Sequence, residues 1–257
     1  MKHLLVGMGA LERPVGVVAR CTTGAGATGA PSTPPLPHNI NRNSTMHNFE
    51  KRRDRYELFA SFEKPLVNLS FELPVPDFRP YCKANGLPPF HFFLYCVLNA
   101  VKGIDNFMYR VLDGEVIKLD DFAASYTVIN HNNDLNITKF VMTDDLPTFI
   151  ERSLAAKREA ETRTELANMG PLMTPLEQKQ NVHITCMPWF KLTSVEHPIY
   201  RHADYDIPSL AWGRFSEPQA DGMMTVPFSV QAHHGFVDGY HVHLLTQSIA
   251  ARAQALI

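Results

Sequence analysis

All 26 aromatic residues of this 257-residue chain lie after position 48, the first being Phe49. A chain folds only where it has large apolar groups to bury, so the folded part has to begin near that point. The first 45 residues instead hold six glycines and five prolines, concentrated in the stretches Gly24 to Gly29 and Pro31 to Pro37. Such a segment cannot offset the entropy of ordering. It is expected to be a disordered tail, or a start placed too early, with Met46 as the alternative to Met1. A secretory leader fits less well: the apolar run Leu4 to Leu11 contains two glycines, ends at Glu12 and Arg13, and offers no small-residue cleavage site. Residues 46–257 are long enough for one domain and show no internal repeat or second linker.

Charge narrows the function. Lys and Arg number 24 against 26 Asp and Glu, a net of -2. The first 45 residues carry Lys2, Arg13, Arg20 and Arg42 against Glu12, which leaves -5 for the rest. That balance gives no basic field for nucleic acid and no polybasic anchor for a lipid surface. No window reaches ~20 uninterrupted apolar residues, so a membrane-spanning helix is not expected. The four cysteines, Cys21, Cys82, Cys96 and Cys186, have no paired spacing and read as reduced thiols of a cytoplasmic protein.

Periodicity and turn chemistry place the elements. Helices are expected over Arg52–Phe62, Asp77–Ala84 and Phe90 to about Val101, the last opened by Pro88 and Pro89. Asp113 and Gly114 separate Met108–Leu112 from Val116–Leu119 as a two-residue hairpin turn. Further strands are expected at Leu66–Leu73, Ala124–Ile129, Val182–Pro188, about Leu210–Phe215 and Met223–Ala232. A long helix is expected to run from the Thr143–Pro147 cap to near Leu166, and a last one from Tyr240 to Leu256. Strands mixed with helices at varied spacing predict an α/β (α+β) two-layer sandwich, a mixed sheet covered by helices, rather than a doubly wound sheet.

One segment concentrates the chemistry. Val226, Phe228, Val230 and Ala232 alternate onto one face of a strand that ends in His233, His234, Gly235, Phe236, Val237, Asp238 and Gly239. A helix with Val242, Leu245, Ile249 and Ala253 on one face follows. An imidazole at such a turn is held by rigid elements yet can face a cleft, as a general base requires. Asp238 is placed to cap the helix or to pair with a cation. Taken singly, each residue is explained by a solvated surface turn. The joint pattern His-His-x-x-x-Asp-Gly arises by chance on the order of once in a thousand chains of this composition.

With Gln231, Tyr240, His241 and Val242 around it, this stretch resembles the signature of the chloramphenicol acetyltransferase family. The segment Arg52 to Phe59 resembles that family's N-terminal Arg-Arg segment. Met108 to Glu115 and Tyr126 to Val128 resemble its central strands, and Ile184 to Trp189 the strand carrying its oxyanion-stabilising hydroxyl. The likeness covers about residues 48–256. It implies an O-acetyltransferase of antibiotic-resistance type that moves an acetyl group from acetyl-CoA, a co-substrate rather than a bound cofactor, to a hydroxyl of chloramphenicol or a similar small molecule. It implies His234 as general base and Thr185 as oxyanion donor, with direct attack in a ternary complex and no acyl-enzyme. It implies a structural ion pair between Asp238 and Arg52, and a homotrimer in which the histidine of one subunit faces the acceptor pocket of the next. Phe59, Trp189 and Phe215 are expected near substrate or CoA. Read from residues alone, Thr185 is better explained as strand filler, and only the resemblance reverses that.

This chain departs from the family pattern in places. Ala211, three residues before Arg214, stands where the family has a threonine that holds a water. Glu63 to Val67 differ from its antibiotic-pocket run, and Ser125 and Asn136 replace larger or apolar pocket residues. An acyltransferase for another hydroxylated acceptor, or an inactive small-molecule binder, are therefore the alternatives. Peptide-synthetase condensation domains share the motif but need two such lobes, and dihydrolipoyl acyltransferases carry lipoyl modules upstream. Metal binding by His233, His234, His241 and His243 fails on geometry, because positions 241 and 243 of one helix point about 200° apart.

Overall fold

The structure is a computed structural model, described here for residues 47–166, 173–199 and 205–257. The expected disorder of residues 1–45 lies outside these. Two short helices open the described chain, α1 (His47–Glu50) and α2 (Arg53–Ala60), followed by strand β1 (Leu66–Pro76). Helices α3 (Arg79–Ala84) and α4 (Pro89–Lys102) lead to a hairpin of β2 (Tyr109–Leu112) and β3 (Glu115–Lys118). Then come β4 (Ala123–Ile129), β5 (Leu135–Ile137), β6 (Phe140–Val141), α5 (Leu146–Thr162) and α6 (Pro175–Lys179). The strands β7 (Asn181–Cys186), β8 (Ser209–Trp212) and β9 (Met223–His233) precede the last helix, α7 (Gly239–Leu256).

The main sheet has the order β1-β9-β8-β7-β4-β5, with β6 also on β4. It is mixed: β7 runs parallel to both β4 and β8, and the other pairs are antiparallel. The hairpin turn is the expected one, with Asp113 at φ 52° and Gly114 at φ 81°, both in the left-handed region that two-residue hairpins require. Strand β1 continues three residues past Leu73 and includes Pro74 and Pro76. As the edge strand it tolerates their missing donors.

The two faces of the sheet differ sharply. Tyr126, Ile184, Leu210, Trp212, Val226, Phe228, Val230 and Ala232 point into the core with Phe92, Phe93, Val97 and Val101 of α4 and Val242, Leu245, Ile249 and Ala253 of α7. The indole of Trp212 lies parallel to Phe228 with centroids 6.2 Å apart. Apolar burial on this scale is the main term holding a domain together. The opposite face carries Asn68, Ser70, Ser125, His183, Thr185, Ser209, Ala211, Ser229 and Gln231, as the alternation along paired strands requires. Residues 187–199 run over it: Asn68 Nδ2 donates to the Val195 carbonyl at 2.9 Å, and the His197 amide donates to Gln231 Oε1 at 2.9 Å.

Other details also depart from the sequence reading, among them β8, which stops at Trp212 short of Phe215. Helix α5 stops at Thr162, short of Leu166. Asn136 Nδ2 takes the carbonyls of Ala160 and Glu165 at 3.0 and 3.1 Å, and Asn130 Nδ2 that of Arg163 at 3.0 Å, so the helix end is capped from a distant hairpin. Asn136 is thereby fully engaged in the fold. Strands β5 and β6 are too short to show alternation, and α6, a capping box of Thr174 and Glu177 with Pro175 at its first position, lasts only five residues.

The core also holds an acid-sensitive group. His91 is 3% exposed, with Nδ1 2.8 Å from Ser153 Oγ. Burial, helped by the Lys157 charge and opposed by Glu161, pulls its pKa down to about 4. A histidine depressed in this way stabilises the fold fully above its ordinary value of about 6.5, and that stability is lost as pH falls toward 4. The expected loss over that window is about 3 kcal/mol at 1.36 kcal/mol per unit. Thermal melts at pH 7, 6, 5 and 4 are expected to fall more steeply for the native chain than for His91→Gln. Parallel curves would assign the acid sensitivity elsewhere.

Candidate active site

The turn after β9 is assembled by three neighbours. The His234 amide donates to the Pro65 carbonyl at 2.7 Å, tying the turn to the start of β1. Arg52, just before α2, reaches across with its whole guanidinium. Nε donates to the Gly235 carbonyl at 2.8 Å, Nη2 to the His234 carbonyl at 3.2 Å, and Nη1 to Asp238 Oδ2 at 2.9 Å. Beneath, Tyr56 stacks on Phe236 with centroids 5.0 Å apart and planes 5° from parallel. A rigid frame therefore surrounds the histidine before any ligand arrives.

The His234 ring is fixed on two sides. Nδ1 lies 3.0 Å from the Val237 carbonyl, which only an N–H can satisfy, so the proton sits on Nδ1 and Nε2 is left as a lone-pair base. The ring of Phe59 stacks on the imidazole at 4.0 Å and 29°. Its neighbour His233 differs: 3% exposed, it accepts the Gly235 amide on Nδ1 at 3.0 Å and packs against Phe236. The two adjacent histidines thus differ in whether Nδ1 carries the proton: His234 faces a carbonyl there and His233 an amide.

Asp238 is both cap and counter-charge. Its Oδ1 accepts the Tyr240 and His241 amides at 3.0 and 3.4 Å, and the Asp238 amide donates to His241 Nδ1 at 3.2 Å, closing a capping box at the start of α7; the same Nδ1 lies 2.8 Å from Oδ1. Burial pushes the Asp238 carboxyl up, but the charges of His241 and Arg52 outweigh it and leave the group below the usual carboxylate range. Burial in turn holds His241 below the ordinary histidine range against the pull of Asp238, so Arg52 is the cation that stabilises the carboxylate at neutral pH. The part of His241 in this cap was missed in the sequence, although a polar residue three places after an aspartate cap signals such a box.

The other candidates lie elsewhere. Thr185 is half-buried on β7 and pairs with Ala211 on β8, which pairs with Ser229 on β9. Thr185 is thus two strands over and four to five residues along from His234, a separation of roughly 17–20 Å within one chain. Ala211 is fully buried beside it. Trp189, on the loop after β7, is 62% exposed. Phe215 is half-buried, edge-on to Phe78 and Phe93 at 5.6 and 5.1 Å. The loop approaches β8 so closely at Gly213 that a Cβ there would lie 2.6 Å from the Phe190 carbonyl oxygen. So Arg52, Phe59, His234 and Asp238 come together in one chain, while Thr185 lies apart on the polar sheet face and Trp189 on the exposed loop after β7.

Two chemistries find no support in the described residues. No group of three or more metal-ligating side chains is present among them. Burial pushes the Cys96 and Cys186 thiols up to about 12, far from the thiolate a nucleophilic cysteine needs. No helix among the described residues is long and apolar enough to cross a membrane.

Comparison with known proteins places this arrangement. A chloramphenicol acetyltransferase family model matches residues 40–249. Chloramphenicol acetyltransferase 3 of Escherichia coli is 21% identical over 192 residues, 74% of this chain and 87% of the relative. The chloramphenicol acetyltransferase of Clostridium perfringens is 24% identical over 195 residues, 74% and 85% of the two chains. A solved chloramphenicol acetyltransferase shares the fold with a TM-score of 0.66 at 23% identity, over 78% of this chain and 94% of that one. The dihydrolipoamide acetyltransferase of Azotobacter vinelandii does so with a TM-score of 0.56 at 16% identity, over 88% and 99%. With a match across most of its length, the signature turn and the shared fold, the chain belongs to the chloramphenicol acetyltransferase family and is an acyltransferase of that type.

Proposed function

We propose that this enzyme transfers an acetyl group from acetyl-CoA to a hydroxyl of a small acceptor, chloramphenicol or a similarly hydroxylated molecule. His234 Nε2 removes the hydroxyl proton as the acceptor oxygen attacks the thioester carbonyl. The Thr185 hydroxyl donates to the resulting oxyanion, and collapse expels the CoA sulfur, which takes the proton back from His234. Transfer is direct, without an acyl-enzyme. The single observation that carries this reading is the His234 ring, whose Nδ1 is held by the Val237 carbonyl and whose face is held by Phe59, leaving Nε2 as the base.

A general base and an oxyanion donor serving one tetrahedral centre must each lie about 3 Å from it. The separation of roughly 17–20 Å between His234 and Thr185 in one chain is too great for that. We infer that the working unit is a homotrimer in which His234 of one copy faces Thr185 of the next. The trimer follows the family resemblance; the distance is its physical support. Ala211 favours the second reading, an inactive binder, because it leaves no hydroxyl beside Thr185 on β8.

The test is thiol release from acetyl-CoA, followed with a disulfide reagent, in the presence of chloramphenicol and a panel of small alcohols. Release that depends on the acceptor is expected. If no acceptor raises release above its background, acetyl transfer is wrong and the binder reading stands.

A further inference from the structure

The polar sheet face bears a row of groups that the mechanism leaves unused. Strand pairing sets Ser125 beside His183, His183 beside Ser209, Ser209 beside Gln231, and Gln231 beside Asn68. His183 stands two residues before Thr185 on β7, so this row is adjacent to the oxyanion donor on the same face. Its imidazole Nδ1 lies 3.0 Å from Ser125 Oγ. Lys139 extends the row. It precedes Phe140, which pairs with Ala124 and lies in the core, so alternation turns Lys139 to the face of Ser125.

Lys139 is half-buried, and burial holds its ammonium below the ordinary range against the pull of the Glu177 charge. Among the described residues no carboxylate forms an ion pair with it, and Nζ reaches Met173 Sδ at 3.5 Å. His197 is pinned by its backbone to the Gln231 side chain, and its Nε2 is buried without a hydrogen-bond partner. Burial of the His183 ring, and then the charges of His197, Arg110 and Lys139, hold its pKa below the ordinary range. Arg110 itself is fully buried and gives its donors to the Phe107, Tyr109, Lys179 and Asn181 carbonyls. A half-buried ammonium and an unpaired ring nitrogen are both costly unless something completes them.

We propose that this row is the acceptor subsite of the transfer reaction above, on which the inference rests, and that it selects acceptors bearing a carboxylate or phosphate at roughly 7–12 Å from the reacting hydroxyl. Lys139 pairs with the anion, and His183, two strand spacings away, donates to it. The distance follows from two residues along β7 and two strand spacings to Lys139. A neutral aromatic acceptor would cover the ammonium without replacing its water.

Three acceptors of one shape test this with acetyl-CoA and the full chain: 4-(hydroxymethyl)benzoate, 4-(hydroxymethyl)phenyl phosphate and the neutral 4-(hydroxymethyl)benzamide. The expected kcat/KM is at least about ten-fold higher for one or both anions than for the amide, equal to about 1.4 kcal/mol, and which anion leads separates the carboxylate from the phosphate source. That ratio is expected to fall to about one in Lys139→Gln and to persist in Lys139→Arg. An amide used as well as both anions, or a ratio that survives Lys139→Gln, overturns the proposal. The His183 and His197 imidazole NMR signals, read while 4-(hydroxymethyl)benzoate is added, separate the subsite from the chemistry. Shifts that disappear in Lys139→Gln, with no thiol released for any acceptor, keep the subsite and remove the acetyl-transfer reading. Shifts that follow protein concentration and ignore the acceptor assign the row to contact between copies and overturn the proposal.

Discussion

Replacing His234 by alanine is expected to lower acceptor-dependent thiol release by about 10²–10⁴-fold, the range of a single positioned proton acceptor. The effect is expected on kcat, since the proposed role of the ring is to take the proton as the acceptor oxygen attacks. The fold should survive, because the side chain makes one hydrogen bond, to the Val237 carbonyl, and one stacking contact, with Phe59. A melting temperature within a few degrees of the native value, together with the lost turnover, is the expected pair of results. His234→Asn should do no better than alanine, since its amide nitrogen can fill the Nδ1 position but offers no base at Nε2. Turnover retained in either variant would move the proton-accepting role to another group.

Removing the arginine clamp is expected to have the second-largest effect, on stability and activity together. Arg52→Ala takes away the ion pair with Asp238 and both bonds to the turn carbonyls, and it leaves the carboxylate beside a partly buried cap. Breaking a fully buried pair costs about 3–5 kcal/mol. Asp238 keeps 34% of its side chain in contact with solvent, so about 2–3 kcal/mol is expected here. For a domain of this size that is roughly a 5–10 °C drop in melting temperature. Asp238→Asn should cost less than Arg52→Ala, because its carbonyl oxygen still caps α7. Neither residue takes the acceptor proton, so kcat should fall through displacement of His234, by about 10–100-fold, while its dependence on pH keeps the native shape. Calorimetry beside the thiol assay checks both parts. A variant that melts normally yet has lost all turnover would give Arg52 a direct part in the reaction.

The segment from Val226 to Leu256 was legible because each residue there has one local task. Alternation builds β9, Asp238 caps α7, and the spacing of Val242, Leu245, Ile249 and Ala253 faces the core. The hairpin at Asp113 and Gly114 was legible for the same reason, since two positive φ angles leave little choice of residue. What local sequence could not carry was anything decided by a distant strand. The end of α5 is set by Asn130 and Asn136, some thirty residues upstream, so a helix continuing to Leu166 was a fair reading of its own residues. Thr185 and His234 could be named from the family pattern, but their separation depends on the strand order β9-β8-β7. The row from Lys139 to Gln231 needs the register of five strands before its groups become neighbours. The role of His241 was within reach, hidden only because histidine is an uncommon third member of a capping box.

The most direct test of the account is complementation between two inactive variants, His234→Ala and Thr185→Ala, expressed together and purified as mixed assemblies. If the base and the oxyanion donor belong to neighbouring copies of a trimer, random mixing leaves both groups intact at about a quarter of the interfaces. Turnover near a quarter of the native value should therefore appear, well above that of either variant alone. Activity no greater than the average of the two separate variants would contradict the account, placing both groups in one chain or removing one of them from the reaction.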